Sequence, residues 1–168
     1  MATADSSRLT VTTRGDLEIV MTRVFNAPRT RVFDAWTKPE LLARWFGPRG
    51  WTMPVCEIDL RPGGAYRYVL RGPDGSEIVM RGVYREIVRP ERLVTTEAFD
   101  GFSEEGWRPE DETVTTAVLT EQDGKTTWTA TVLYPSQEVR DAAVIQSGME
   151  AGAADSFDRL AELLATMD

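Results

Sequence analysis

Residues 51–88 read WTMPVCEIDLRPGGAYRYVLRGPDGSEIVMRGVYREIV. Apolar and polar side chains alternate along this stretch with a period of two, interrupted at Pro62-Gly63-Gly64 and at Gly72-Pro73-Asp74-Gly75. Alternation of that kind belongs to half-buried strands, and both interruptions carry turn chemistry. Three antiparallel strands are therefore predicted, over residues 51–61, 65–71 and 77–88. Tyr66, Tyr68 and Leu70 fall on one side of their strand, with Arg67 and Arg71 on the other. Met80 and Tyr84 oppose Arg81 and Arg85 in the same way, and Cys56, Ile58 and Leu60 oppose Glu57 and Asp59. One face of the sheet is thus aromatic and aliphatic. The other places two carboxylates near four arginines, an ion-pair ladder that needs no function and is worth about 0.2–1 kcal/mol per pair.

Working outward, Pro90-Glu91 precedes RLVTTEAF (92–99), and the polar loop 100–112 leads to TVTTAVLTE (113–121) and TTWTATVLY (126–134). The last two flank Gln122-Asp123-Gly124-Lys125, whose Asp-Gly pair is a hairpin signal. Trp128, Ala130, Val132 and Tyr134 share one face of the final strand. Beyond it, Met149, Ala153, Phe157, Leu160, Leu164 and Met167 recur at helical spacing. Ser147 and Glu150 read as a capping box for a helix over 148–167, about 30 Å long at 1.5 Å per residue. Asp155 and Arg159 form an i,i+4 pair on its flank, and residues 141–146 fit either this helix or a turn before it. Upstream, LEIVMTRVFN (17–26) reads as a first strand, and residues 28–46 as two short helices divided at Pro39 and ended by Gly47-Pro48. Residues 1–16 read as a flexible tail. The expected fold class is α+β: one domain over 17–168, a curved antiparallel six- or seven-stranded sheet wrapped around a long C-terminal helix, with two small helices after the first strand.

Composition narrows the chemistry. The 168 residues include no His and one Cys. A Ser-His-Asp or Cys-His unit, an HExxH zinc site and an internal disulfide are all excluded. Any acid or base must come from Asp, Glu, Tyr, Lys or Cys56. With 19 basic and 27 acidic side chains the net charge is −8, which argues against nucleic-acid and anionic-membrane partners. Residues 26–92 run against that trend, with 12 basic and 8 acidic side chains. This is either a solvated strand face or a basic patch for a partner. No apolar run reaches the length of a membrane span, and the first residues lack a signal-peptide pattern, so a cytoplasmic location is expected.

A curved sheet with one apolar face, closed by a helix, encloses side chains or a ligand between its layers. Tyrosines, tryptophans and methionines on that face suit a cavity for a hydrophobic compound with one or two polar groups. They equally suit a filled core whose hydroxyls reach solvent. From the small helices the ligand-site candidates are Trp36, Trp45 and Phe46, which also fit as anchors of those helices to the sheet. From the strands they are Met53, Tyr66, Tyr68, Met80, Tyr84, Phe99 and Trp128, and from the terminal helix Met149 and Phe157. Gly63 and Gly64 read as a turn, Gly148 and Gly152 as sites of close helix–sheet approach, and Cys56 as a small apolar residue. Glu97 is the acid/base candidate, and the aromatic-bearing acidic loop 100–112 reads as a lid or a solvated connection.

The segments RVFNAPRTRVFDAWTKPELLARWFGPRGWT (23–52), DLRPGGAYRYVLRGPDG (59–75), RGVYREIVRPERLV (81–94) and SGMEAGAADSFDRLAELL (147–164) together resemble homologues of the activator of heat-shock protein 90 ATPase. That family lies within the START-like (SRPBCC) superfamily with its helix-grip fold. The resemblance covers roughly residues 17–166 and implies a deep hydrophobic cavity under the C-terminal helix. It supplies no catalytic signature. The leading expectation is a binding module, without metal or other cofactor, for a small hydrophobic, lipid- or polyphenol-like ligand. The alternatives are a cyclase, dehydratase or hydrolase using Tyr66, Tyr84 or Glu97 in the same cavity, and an interaction protein that stimulates a chaperone ATPase. Monomer and homodimer are both compatible with the sequence.

Overall fold

The computed structural model describes residues 8–100, 112–146 and 149–167, with backbone alone at 99–100, 144–146 and 149–150. The strands are β1 (Thr10–Arg14), β2 (Glu18–Phe25), β3 (Thr52–Ile58), β4 (Ala65–Arg71), β5 (Glu77–Val88), β6 (Arg92–Asp100), β7 (Thr113–Gln122) and β8 (Lys125–Leu133). Helices α1 (Arg29–Thr37) and α2 (Pro39–Trp45) connect β2 to β3, and α3 (Gln137–Gln146) and α4 (Met149–Thr166) follow β8. All strand pairs are antiparallel, in the order β1-β2-β8-β7-β6-β5-β4-β3. Strands β3 to β8 run as a meander, and the chain between β2 and β3 crosses the width of the sheet through α1 and α2.

Two expectations are corrected. The sheet has eight strands rather than six or seven, because residues 10–14, assigned to a flexible tail, pair with β2 from Thr10–Thr22 to Arg14–Glu18. Four of those five residues are exposed and Val11 is half-buried, so β1 is an edge strand without the apolar alternation that marks the others. Consequently the two small helices follow the second strand, and the domain begins upstream of residue 17. The strand expected over 51–61 ends at Ile58, and Leu60 is exposed. The chain turns sharply there: a Cβ on Gly64 would lie 2.0 Å from the Asp59 carbonyl oxygen, so only glycine permits the approach. A register shift between Thr52 and Val55 also breaks the parity of β3, and Met53 is buried while Cys56 and Ile58 are half-buried.

Elsewhere the alternation translates directly into burial. Tyr66, Tyr68, Leu70, Met80, Tyr84, Trp128, Ala130 and Val132 are all buried, while Arg67, Arg71, Arg81 and Arg85 are exposed. The hairpin between β7 and β8 turns at Asp123 and Gly124, with φ of 54° and 76°, the positive pair that matches the twist of the flanking strands. Residues 141–146 belong to α3, which is separate from the terminal helix. Arg140 of α3 is buried and donates to the Gly15 carbonyl at 2.9 Å and the Glu18 carbonyl at 3.3 Å, fastening that helix to the β1–β2 turn.

Strands β5 and β6 are joined by side chains between the pairs Arg81–Ala98 and Tyr84–Thr95. The Val83 N–H donates to the Thr96 hydroxyl at 2.9 Å, and the Tyr66 hydroxyl reaches from β4 to donate to the Thr96 carbonyl at 2.5 Å. Gly82 makes room for this reach, since a Cβ there would sit 1.9 Å from the Thr96 oxygen and 2.6 Å from the Tyr66 hydroxyl. We predict that Gly82→Ala destabilises the protein by about 2–3 kcal/mol in urea unfolding, because backbone has to move to admit the methyl. Tyr66→Phe should cost about 1 kcal/mol. Gly152→Ala, where a Cβ would meet only Pro48 Cγ at 3.6 Å, should be neutral or stabilising. Equal losses at Gly82 and Gly152 would refute this account.

Candidate functional site

The terminal helix covers the apolar face unevenly. Its C-terminal half buries Leu160, Leu163 and Leu164 in the core, whereas its N-terminal half presents Gly152, Ala153 and Ser156. Small side chains there cannot reach the sheet, and a cavity of about 330 Å³ lies between helix and strands. That volume falls at the lower end of the range for small-ligand sites. With few apolar contacts beneath it, this half of the helix is tied at its flanks. Arg159 donates to the carbonyls of Gly47 at 2.8 Å, Pro48 at 3.3 Å and Arg44 at 3.1 Å. The spacing of Asp155 and Arg159 points to a pair between them, but the guanidinium is directed to the α2–β3 corner. Gly47 N–H donates to Ser156 Oγ at 3.0 Å, and Arg23 of β2 bonds Asp158 at 2.8 Å.

One end of the cavity is aromatic and apolar. Trp36 stacks on Trp128 with ring centroids 5.4 Å apart and planes 3° from parallel, and Phe157 lies 4.7 Å from Trp128. Trp45 is buried beside Trp36, its indole N–H donating to the Ala35 carbonyl at 3.0 Å. Trp36 therefore both packs α1 against β8 and lines the cavity. The other end is phenolic: Tyr66 lies 4.9 Å from Tyr68 and 5.5 Å from Tyr84, centroid to centroid.

Polar groups on this wall are few and poorly partnered. The Tyr84 hydroxyl and the Trp36 indole N–H are buried with no hydrogen-bond partner among the described residues. Burial pushes the Tyr84 phenol up to about 12, partly offset by a side-chain contact with the Tyr68 hydroxyl that falls outside hydrogen-bond geometry and so leaves the Tyr84 hydroxyl without a full hydrogen bond. Glu97 also faces the cavity, with Thr95 and Thr115 on adjoining wall positions. Its carboxylate receives a long 3.5 Å bond from the Thr115 hydroxyl, and burial raises it from 4.5 to about 7. Tyr66 and Tyr134 both feel the Glu97 charge, which adds to the rise that burial imposes on their phenols. Cys56 is half-buried, with its thiol pushed up to about 11, which makes it a poor nucleophile. Among the described residues no cluster of three or more His, Cys, Asp or Glu side chains could hold a metal ion, and no helix is long and apolar enough to cross a membrane.

Of the twelve residues singled out from sequence, Trp36, Trp45, Phe46, Tyr66, Tyr68, Met80, Tyr84, Trp128 and Phe157 line the cavity. Met53 does not: it is buried in the core cluster, away from the cavity wall. The side chains of Phe99, Met149 and Glu150, together with Ser147, Gly148 and residues 101–111 of the loop 100–112 read as a lid or a solvated connection, lie outside the described residues. Sequence reasoning missed Met21, Phe33, Thr95 and Thr115 as lining residues. The small-residue run AGAA at 151–154 was the available signal for the void itself.

An open eight-stranded antiparallel sheet with a long C-terminal helix over an apolar cavity defines a helix-grip-like α+β protein. The chain belongs to the family described as activator of Hsp90 ATPase homolog 1-like protein, whose family model matches residues 26–165. It is similar to a crystal structure from Rhodobacter sphaeroides at 29% identity, covering 95% of this chain and 99% of that one, with a TM-score of 0.83. A crystal structure from Nitrosomonas europaea shares 27% identity over 91% of this chain and 97% of that chain, TM-score 0.78. One from Mycobacterium smegmatis shares 26% over 94% and 98%, TM-score 0.80. No curated protein matches the chain at a comparable level of significance.

The raised Glu97 carboxyl has a consequence for folding. An acid that holds its proton more tightly when folded leaves the unfolded chain with fewer bound protons between the two values. Stability then falls as pH rises from 4.5 to about 7 and levels off above that. The displacement corresponds to at most about 3 kcal/mol. Glu97→Gln should flatten this part of the stability–pH curve and make the variant more stable than the parent at pH 8. An unchanged slope between pH 5 and 7 would show that Glu97 is solvated in the folded protein.

Proposed function

We propose that the protein binds a small hydrophobic ligand, lipid- or polyphenol-like in size, between the sheet and α4, without transforming it. The observation that carries this reading is the 330 Å³ cavity whose wall is mainly aromatic yet holds two buried polar groups, Tyr84 hydroxyl and Trp36 N–H, without partners among the described residues. A filled core would leave no such volume and would satisfy those groups, since each costs about 1–3 kcal/mol when buried unpaired. A ligand with one or two polar atoms supplies both the missing contacts and the missing bonds.

Native mass spectrometry of freshly purified protein should reveal a co-purified small molecule. Thermal unfolding against a panel of lipids and aromatic compounds should show at least one shift, about 2.7 kcal/mol of stabilisation at 100 times Kd. Ala153→Phe, which fills the cavity from α4, should fold and lose the shift. Absence of any adduct together with no shift across the panel would overturn the binding reading. A second reading, acid–base chemistry on the bound compound, is favoured by the Glu97 carboxyl at about 7 on the same wall. It requires that Glu97→Gln abolish turnover while leaving the fold intact.

A further inference from the structure

The charge on the cavity wall has one sign and one source. Among the described lining residues Glu97 is the only side chain of Asp, Glu, Lys or Arg, and the chain has no His. Among the described residues its carboxylate has the weak Thr115 bond at 3.5 Å as its hydrogen bond, and no guanidinium or ammonium lines the wall with it. Tyr84 pairs across the strands with Thr95, two residues from Glu97 on the same cavity-facing side of β6, and the Tyr66 hydroxyl donates to the carbonyl of Thr96 between them, so the carboxylate and the tyrosines belong to the same, phenolic end of the cavity. The opposite end is the stacked Trp36–Trp128 pair with Phe157 tilted against it.

This asymmetry sorts candidate ligands by the sign of their polar end. An anionic head, such as a fatty-acid carboxylate, would be brought beside Glu97 with no basic side chain on the described wall to receive it. A pure hydrocarbon would fill the volume but leave Glu97, Tyr84 and the Trp36 N–H as poorly bonded as before. A cation is attracted both to the carboxylate and to the electron-rich rings of Tyr66, Tyr68 and Tyr84, and its N–H groups can donate to the Tyr84 oxygen. Resting on the ligand-binding reading above, we infer that the cavity receives an aromatic amine, with its flat body against Trp36, Trp128 and Phe157 and its protonated nitrogen at Glu97 in the tyrosine cluster.

Three probes with the same ring separate the possibilities: naphthylethylamine, naphthylethanol and naphthylacetate, titrated calorimetrically into the full chain at pH 8. The amine should bind at least about tenfold tighter than the alcohol, and the acid more weakly than the alcohol. In Glu97→Gln the amine should lose its advantage over the alcohol. If the alcohol binds and the amine is no tighter, or if the preference survives in Glu97→Gln, the amine assignment is overturned while the binding reading stands. If none of the three binds, the amine assignment is overturned, and the adduct search and ligand panel above decide the binding reading separately. Should the variant not fold, the order of the three probes in the parent protein decides.

Discussion

The guanidinium of Arg159, donating to three carbonyls at the α2–β3 corner, holds the terminal helix over a space it does not fill. A helix is ordinarily held to a sheet by the side chains it buries, and α4 has these in its C-terminal half. Over the cavity it has Gly152, Ala153 and Ser156, whose apolar contact with the strands is slight. Charge-assisted bonds at the flank therefore replace packing at the centre. Ser156 accepts from Gly47, and Asp158 meets Arg23 on the far side of the helix, so the lid of the cavity is attached on two edges. This separation of attachment from packing lets a volume of about 330 Å³ exist without collapse.

The same division explains the mixed duties of the aromatic residues. Trp45 is fully buried, its indole N–H satisfied by Ala35, and it serves the junction of the two small helices. Trp36 packs against it but leaves its own N–H unpaired while stacking on Trp128. Tyr66 is likewise committed, its hydroxyl completing the β5–β6 ladder at Thr96, whereas Tyr84, a strand away, keeps an unpaired hydroxyl. Residues of one chemical type thus divide into those whose polar atoms are used by the fold and those left for something else. Glu97 is among the latter, held by little more than a long contact from Thr115.

Where a residue's fate depends on its chain neighbours, the sequence was legible. Strict alternation assigned the faces of β4, β5 and β8, and Asp123-Gly124 announced its hairpin because an L-residue and a glycine at positive φ suit that turn. The illegible parts share a different cause. Strand β1 is stabilised by backbone pairing with β2 and exposes most of its side chains, so it leaves no hydrophobic signature. The short end of β3 follows from the Gly64–Asp59 approach, and the burial of Met53 from a register shift, neither of which alternation can express. The inward aim of Glu97 was ambiguous for a related reason, since the neighbouring Thr96 and Ala98 are buried too and no face of β6 looks polar.

Local chemistry was sufficient for the α+β class, the meander, the terminal helix and the exclusion of histidine-based catalysis and zinc sites, because each depends on residue type and near spacing. It named most of the aromatic wall as well, since alternation determines which side chains share a face. Whether that face was filled or hollow rested on distances between elements far apart in the chain: the height at which Arg159 and Ser156 hold α4 and the small residues it turns toward β6 and β7. Those distances are set by side-chain bonds across more than 100 residues of sequence, to which no periodicity is sensitive.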